Sequence, residues 1–249
     1  MISNDKAKAE KNNILAIDRE DQYRTVEELV KRSQPNSVYY TLLVMSSLVI
    51  SSGLLINNSA ITIGGMLITP VLSPLLLIGL GLSVGQLATI KRAAILTIQS
   101  FFVVIVGALV LSLIFGPGET GAAPIFTDHS IRTIVLYFIV ALAAGTAATF
   151  GWTRKSIAEV LPGIAIAVSL VPPLAWVGIG VSRLDATLIR FNATVLLFNL
   201  LGILMGSIVA FSLLKFYRVG KKVEQETKEV EKQIVEKKKE KEYEKYEKL

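Results

Sequence analysis

The sequence contains no cysteine and a single histidine, His129. The absence of cysteine excludes a disulfide framework, a thiolate metal site and a thiol nucleophile. One histidine also excludes a histidine-rich metal site built from this chain alone. We therefore expect the protein to bind no metal and no cofactor through such groups.

Carboxylates are scarce in the middle of the chain. Of the 20 acidic residues, 16 lie before Pro35 or after Phe216. The stretch between them holds only Glu119, Asp128, Glu159 and Asp185. This scarcity argues against a proton pump that works through a chain of carboxylates. The chain also lacks the HExxH, GxSxG and Walker motifs, so we expect neither an enzyme nor an ATP-driven pump.

Apolar sequence is abundant, at 52% of the residues. It is arranged in repeated runs long enough for transmembrane helices, which need about 20 apolar residues each. The sequence predicts six spans, and the polar first 37 residues do not resemble a secretory signal. The spans are predicted at about 37–56, 59–83, 93–115, 131–150, 157–181 and 188–216.

The basic residues predict the orientation of these spans. With both termini inside, the inner loops carry Lys91, Arg92, Arg154 and Lys155, and the outer loops carry only Arg132, Arg183 and Arg190. Positive charge concentrates on the cytoplasmic side of membrane proteins. We therefore expect a multi-pass protein of the cytoplasmic membrane with its N and C termini inside. The net charge of +6 is explained by this arrangement and does not indicate nucleic-acid binding.

Two apolar stretches are similar to one another, Gly64 to Ser83 and Pro162 to Ser182. They align at a constant spacing of 99 residues, which places Pro74 on Pro173 and Gly79 on Gly178. Each repeat then holds three spans, and two copies of a unit with an odd number of spans must enter the membrane from opposite faces. The predicted fold is an all-α membrane protein of six transmembrane helices. They form two inverted three-helix repeats with proline-broken second and fifth helices.

The predicted organisation has five parts. They are a cytoplasmic N-terminal tail with a short helix (1–36), membrane repeat 1 (37–116), an extracytoplasmic loop (117–130), membrane repeat 2 (131–217) and a charged cytoplasmic C-terminal helix (218–249). Thr25 to Glu28 resembles a capping box for the N-terminal helix. In the C-terminal tail, Val223 and Val230 are one heptad apart. This spacing suggests homo-oligomerisation through 221–249, although a solvated helix also fits the pattern.

The broken segments carry the candidate binding site. Proline lacks a backbone N–H, so prolines inside a helix would leave carbonyls such as that of Met66 without their usual partners. Hydroxyl groups, water or a bound ion would have to satisfy these carbonyls in hydrocarbon. The candidate ligands for a small ion or solute are Thr69, Pro70, Ser73, Pro74, Ser169, Pro172 and Pro173, backed by Gln99 and Asn199.

Two further sets of residues have a structural and a functional interpretation. Glycines in membrane spans let helix backbones approach closely, and the predicted packing positions are Gly64, Gly65, Gly79, Gly81, Gly163, Gly178 and Gly180. Glu159 lies at the inner start of the fifth span. It either stabilises the positive end of the helix dipole or couples transport to a proton or ion.

The chain resembles a family of hydrophobic membrane domains of unknown function from bacteria and archaea. The resemblance rests on NSAITIGGMLITPVLSPLLLIGLGLSVGQ and on LPGIAIAVSLVPPLAWVGIGVS, and it covers roughly Ser37 to Phe216. Leu161-Pro162-Gly163 and Val171-Pro172-Pro173-Leu174 are its most specific part. The resemblance supports a membrane fold and implies no particular substrate, because the family name carries no activity.

Two functions remain open at this point. The first is a channel or secondary transporter for a small ion or small polar solute, with its site at the midplane between the repeats. The second is a non-transporting scaffold or sensor in the lipid bilayer that assembles through its C-terminal helix. The paired proline-broken segments favour the first.

Overall fold

The computed structural model describes residues 17–116, 131–154 and 170–247, with side chains as far as residue 236. Within these ranges the chain is helical and contains no strand. The helices are α1 Arg19–Arg32, α2 Ser37–Leu55, α3 Ser59–Ile68, α4 Leu72–Val84, α5 Leu87–Phe115, α6 Ile131–Thr153, α7 Val171–Ser182, α8 Ala186–Leu213 and α9 Gly220–Glu247, with a 3-10 turn at Phe216–Val219.

Four of these helices, α2, α5, α6 and α8, are long and apolar enough to cross a membrane. Helices α3 and α4 pass the same test together as a pair bent by 55°, and they form the broken second segment. The predicted fifth span is described only in its second half, as the 12-residue helix α7. A helix of that length extends about 18 Å and is too short to cross a bilayer alone. The first half of that span lies outside the described residues.

The outer helices of each half run parallel to one another. In the first half, the Tyr39 hydroxyl lies 2.7 Å from the Ser100 hydroxyl, and the Ser47 hydroxyl donates to the Val104 carbonyl at 3.2 Å. Both contacts advance along α2 and α5 in the same direction. The bent pair α3–α4 therefore has to return the chain along the shared length of α2 and α5. This geometry favours a broken span over a re-entrant loop.

The second half shows the same relationship between α6 and α8. Gly202 packs against Ala141, and Gly206 packs against Thr146. The contact positions again advance together along the two helices. The chain between α6 and α8 must therefore also return to the starting side before α8 begins.

The 99-residue spacing recurs in the backbone geometry. Gly85 ends α4 with φ 75°, and its repeat equivalent Leu184 follows α7 with φ 54°. The next residue in each copy donates its N–H to an equivalent carbonyl, from Gln86 to Gly81 at 2.9 Å and from Asp185 to Gly180 at 3.0 Å. Helices α5 and α8 then start at equivalent positions, 87 and 186. The sequence repeat is thus a repeat of local structure.

Five of the seven predicted packing glycines lie in close contact with a residue of another helix or turn of the chain. Gly65 packs on Ile50, Gly79 on Ser207, Gly81 on Ile90, Gly178 on Ala108, and Gly180 on Ile189. Gly64 is different, because a Cβ placed there would have no neighbour within 4 Å. The packing role predicted for Gly64 is therefore wrong, and Gly163 lies outside the described residues.

Helix α1 packs into one end of the bundle, together with the start of α9. Its buried Gln22 side chain donates to the Leu214 carbonyl at 2.9 Å, which ties α1 to the end of α8. The capping-box assignment of Thr25 is wrong because the helix begins at Arg19. The Thr25 hydroxyl instead donates to the Asp21 carbonyl within the helix, at 2.7 Å.

Helix α9 buries its apolar positions within the same chain. Val223 is fully buried and Val230 nearly so, and α9 packs against α1 and α5. Between them the Thr227 hydroxyl lies 2.9 Å from the Thr89 hydroxyl of α5. The heptad pair that suggested an intermolecular coiled coil is therefore used in intramolecular packing.

Candidate functional site

Three prolines of the two apolar copies lie in the first turn of a helix and do not interrupt one. Pro74 lies in the first turn of α4, and Pro172 and Pro173 lie in the first turn of α7. The first-turn N–H groups of a helix have no intrahelical acceptor, so proline loses no hydrogen bond there. The expectation that these three prolines free carbonyls inside a continuous helix is therefore wrong. Pro70 lies in the break between α3 and α4.

Thr69 closes the C-terminal end of α3 at this break. Its backbone N–H donates to the Met66 carbonyl at 3.3 Å, and its hydroxyl donates to the Gly65 carbonyl at 3.1 Å. The Met66 carbonyl therefore keeps a partner, contrary to the prediction from the proline positions. The hydroxyl contact satisfies a second carbonyl next to the break, as a membrane environment requires.

Two cations lie at the end of α1, where a short connection leads to α2. Lys31 and Arg32 are the last residues of α1, where positive charge interacts favourably with the helix dipole. The Asn36 side chain then caps α2 by accepting the Tyr39 backbone N–H at 2.8 Å. The first turn of α2 therefore follows directly after the two cations.

A cleft of about 870 Å³ joins this connection to the break in the second segment. Its wall is formed by the end of α1, the start of α2, the α3–α4 break and the end of α6. The lining residues are Lys31, Arg32, Asn36, Val38, Tyr39, Leu42, Leu67, Ile68, Thr69, Pro70, Leu72, Ser73 and Trp152. The cleft is large enough for a small solute with its hydration water.

The charged groups in the described lining of this cleft are cations. Lys31 and Arg32 contribute two cations, and the described lining includes no carboxylate. The Arg32 guanidinium stacks over the Trp152 ring at 5.5 Å from the ring centre. The Trp152 side chain is 8% exposed, and its indole N–H finds no acceptor among the described residues. The hydroxyl-bearing residues Thr69 and Ser73 also line the cleft, beside the break.

The structure brings only some of the predicted site residues together. Thr69, Pro70 and Ser73 line the cleft, whereas Pro74, Pro172 and Pro173 are buried and do not. Gln99 lies on the exposed face of α5, where its side-chain carbonyl accepts the Tyr40 hydroxyl at 2.9 Å. Asn199 is 3% exposed within α8 and is not among the lining residues. Ser169 and Glu159 lie outside the described residues.

Sequence reasoning missed five lining residues with polar or aromatic groups: Lys31, Arg32, Asn36, Tyr39 and Trp152. Their shared location depends on α1 packing against the end of α6, and nothing in the local sequence indicates that contact. The described residues also contain no cluster of three His, Asp or Glu side chains that could hold a metal ion.

Comparison with known families adds to this geometry. Residues 66–205 match the family described as "Domain of unknown function (DUF389)", which is more than half of the chain. The chain belongs to the DUF389 family. The match includes the α3–α4 break and α7, and it begins after Lys31 and Arg32. The resemblance inferred from the two proline-containing copies is confirmed.

A curated relative belongs to the archaeon Methanocaldococcus jannaschii and is described as an uncharacterized protein. It is 29% identical over 202 residues, which cover 78% of this chain and 58% of the relative. The chain thus spans less than two thirds of that relative's length. No solved structure matches the chain.

Proposed function

We propose that this DUF389 protein moves a small ion or small polar solute across a membrane through the cleft at the α3–α4 break. The observation that carries this proposal is the course of the cleft. It extends from the cations at the end of α1 to Thr69 and Ser73 at the break, along the apolar side chains of Val38, Leu42, Leu67 and Ile68. Many transporters bind their solute where a membrane helix is broken.

The relation between the two halves supports the same function. Gly178 of α7 packs against Ala108 of α5, and the Ser182 hydroxyl lies 2.7 Å from the Ser112 hydroxyl. These contacts advance in the same direction, so α7 runs parallel to α5. Helix α7 belongs to the return segment of the second half, whereas α5 is an outer helix of the first. We infer from this that the two halves cross the membrane in opposite directions, as inverted repeats.

The contacts between the halves also occur in equivalent pairs, as a two-fold axis requires. Gly79 of the first half meets Ser207 of the second, and Gly178 of the second half meets Ala108 of the first. Positions 79 and 178 are repeat equivalents, and so are 108 and 207. Such pseudo-symmetry supports alternating access, in which rocking of one half against the other exposes the cleft to each side in turn.

The direct test measures flux before and after the cleft is blocked in folded protein. Ser73→Cys protein is reconstituted in liposomes and assayed with potassium chloride, potassium phosphate and, by osmotic swelling, urea. We expect flux of at least one probe above that of empty liposomes, and a loss of at least tenfold after reaction with a bulky thiol reagent. The chain has no cysteine of its own, so the reagent has one target.

Ser59→Cys is the matched control, because Ser59 is exposed at the start of α3 and does not line the cleft. Its flux should survive the same treatment. Flux that is equal before and after modification of Ser73→Cys would contradict the proposed path, and no flux of any probe would contradict the transport function.

The scaffold function is the weaker alternative. It relies on assembly through 221–249, but Val223 and Val230 are buried inside one chain. The apolar face of α9 that contains these valines is already covered by α1 and α5, so it is not free to pair with a second copy.

A further inference from the structure

We propose that the mouth of the cleft, between Lys31, Arg32 and Trp152, binds an oxyanion, and that the transported solute is a small oxyanion such as phosphate. This inference rests on the proposed transport function and specifies its substrate class. It is carried by three residues with hydrogen-bond donors that line one cleft, whose described lining includes no carboxylate.

The indole N–H of Trp152 provides the first argument. A buried N–H without an acceptor costs about 1–3 kcal/mol relative to one that is satisfied. Trp152 is more than nine-tenths buried, lines the cleft and has no acceptor for its N–H among the described residues. The indole nitrogen itself has under 1 Å² of exposed surface, so a ligand oxygen would satisfy the group once the side chain turns it toward the cleft.

Arg32 provides the second argument. Its guanidinium lies over the Trp152 ring, and the stacking holds its planar fork at the mouth of the cleft. A guanidinium binds the oxygens of phosphate or carboxylate in pairs, with geometric specificity that an ammonium lacks. Its ion-pairing capacity is not used by a carboxylate of this cleft, since the described lining contains none.

Lys31 adds a second positive charge to the same mouth. Orientation of the chain in the membrane would explain cations anywhere in the tail. It does not explain why both cations line a cleft, with Arg32 over the Trp152 ring. A cation in this cleft would meet two like charges and no carboxylate of the described lining, whereas an anion would be attracted.

The cleft also contains hydroxyl groups. Its wall includes the hydroxyl-bearing Thr69 and Ser73 next to the break. The Ser73 hydroxyl can donate to an anion, whereas the Thr69 hydroxyl already donates to the Gly65 carbonyl. The same charged mouth could also hold the phosphate of a lipid headgroup, so the experiment has to separate the two sources.

Binding is measured first, without any requirement for transport. In a Trp176→Phe background, Trp152 is the single tryptophan of the chain and reports on the mouth directly. Protein in neutral detergent is titrated with sodium phosphate against sodium chloride at equal ionic strength. We expect a saturable change in Trp152 fluorescence with phosphate, and affinity at least tenfold weaker in both Arg32→Gln and Lys31→Gln.

The matched control is Lys221→Gln, which removes an exposed cation at the same end of the bundle without changing the cleft. Its phosphate affinity should equal that of the parent. Absence of saturable phosphate binding in the parent, or equal weakening by all three substitutions, would overturn the proposal.

Two further arms identify the source of the anion and separate this proposal from the transport function. If phosphatidylglycerol abolishes phosphate binding while phosphatidylcholine does not, the occupant is a lipid headgroup and the assignment to a solute fails. In reconstituted liposomes we expect phosphate flux that Arg32→Gln reduces. Selective cation flux would overturn the anion assignment but leave transport standing, whereas phosphate binding without any flux would support the site and contradict transport.

Discussion

Gly79 of α4 packs directly against Ser207 of α8, so closely that a Cβ added to Gly79 would lie 2.9 Å from the Cβ of Ser207. Overpacking of this kind costs about 1–3 kcal/mol. We expect Gly79→Ala to lower the free energy of unfolding by that amount in a detergent unfolding titration.

Gly64→Ala is the control for this prediction. A Cβ at Gly64 has no neighbour within 4 Å, and the residue lies inside helix α3. Alanine is favoured over glycine inside helices by about 0.5–1 kcal/mol, so this substitution should be neutral or stabilising. Equal stability of the two variants would contradict the contact between the halves.

The equivalent turns after α4 and α7 predict opposite effects of introducing glycine in one turn and removing it from the other. Leu184 holds a left-handed conformation with φ 54° and is 90% exposed, so Leu184→Gly relieves strain without loss of packing. Such a conformation costs a non-glycine residue about 1–2 kcal/mol. We expect Leu184→Gly to raise the unfolding midpoint and Gly85→Ala to lower it. A destabilised Leu184→Gly variant would show that the turn geometry is wrong.

The hydrogen bond between Tyr39 and Ser100 ties the start of α2 to α5. Tyr39→Phe removes it while keeping the ring, and the Ser100 hydroxyl can still donate to the Leu96 carbonyl. The expected loss is about 1 kcal/mol of unfolding free energy. Tyr40→Phe, which removes an exposed bond to Gln99, should have a smaller effect in the same titration. The reverse order of the two variants would contradict the buried contact.

Helix α9 is predicted to stabilise the monomer through its buried valines. Val223→Ala should cost about 2 kcal/mol, because it leaves a cavity in the contact with α1 and α5. Val235→Ala, at a half-exposed position of the same helix, should leave stability unchanged. Size-exclusion chromatography with light scattering provides the second readout. A change of subunit number in Val223→Ala with unaltered stability would favour the intermolecular coiled coil over the packing described here.

The membrane class, the repeat spacing and the break near Thr69 could all be predicted from the sequence. They depend on apolar length and on proline, which act locally along the chain. Pro172 and Pro173 were misinterpreted because proline is unfavourable inside a helix but suits its first turn, and the sequence did not fix where α7 begins.

The cationic side of the site could not be predicted, for a different reason. Arg32 and Trp152 are 120 positions apart in the sequence, and their contact exists only because α1 packs against the end of α6. Gln99 was predicted to support the binding site, but it is not among the residues that line the cleft. A polar residue in a span predicts a buried partner, but this side chain lies on an exposed face and bonds to Tyr40 on the neighbouring helix.

The most direct test of the central claim is the access of water to the α3–α4 break. Ser73→Cys and Ser47→Cys proteins in liposomes are treated with a membrane-impermeant thiol reagent, and the labelling rates are compared. Ser47 is buried between α2 and α5 and does not line the cleft, so it reports on the dry interior. Labelling at Ser73→Cys at least tenfold faster than at Ser47→Cys is the predicted result. Equal protection of both positions in folded protein would mean that the break lies in a dry core, and it would contradict a solute path through the cleft.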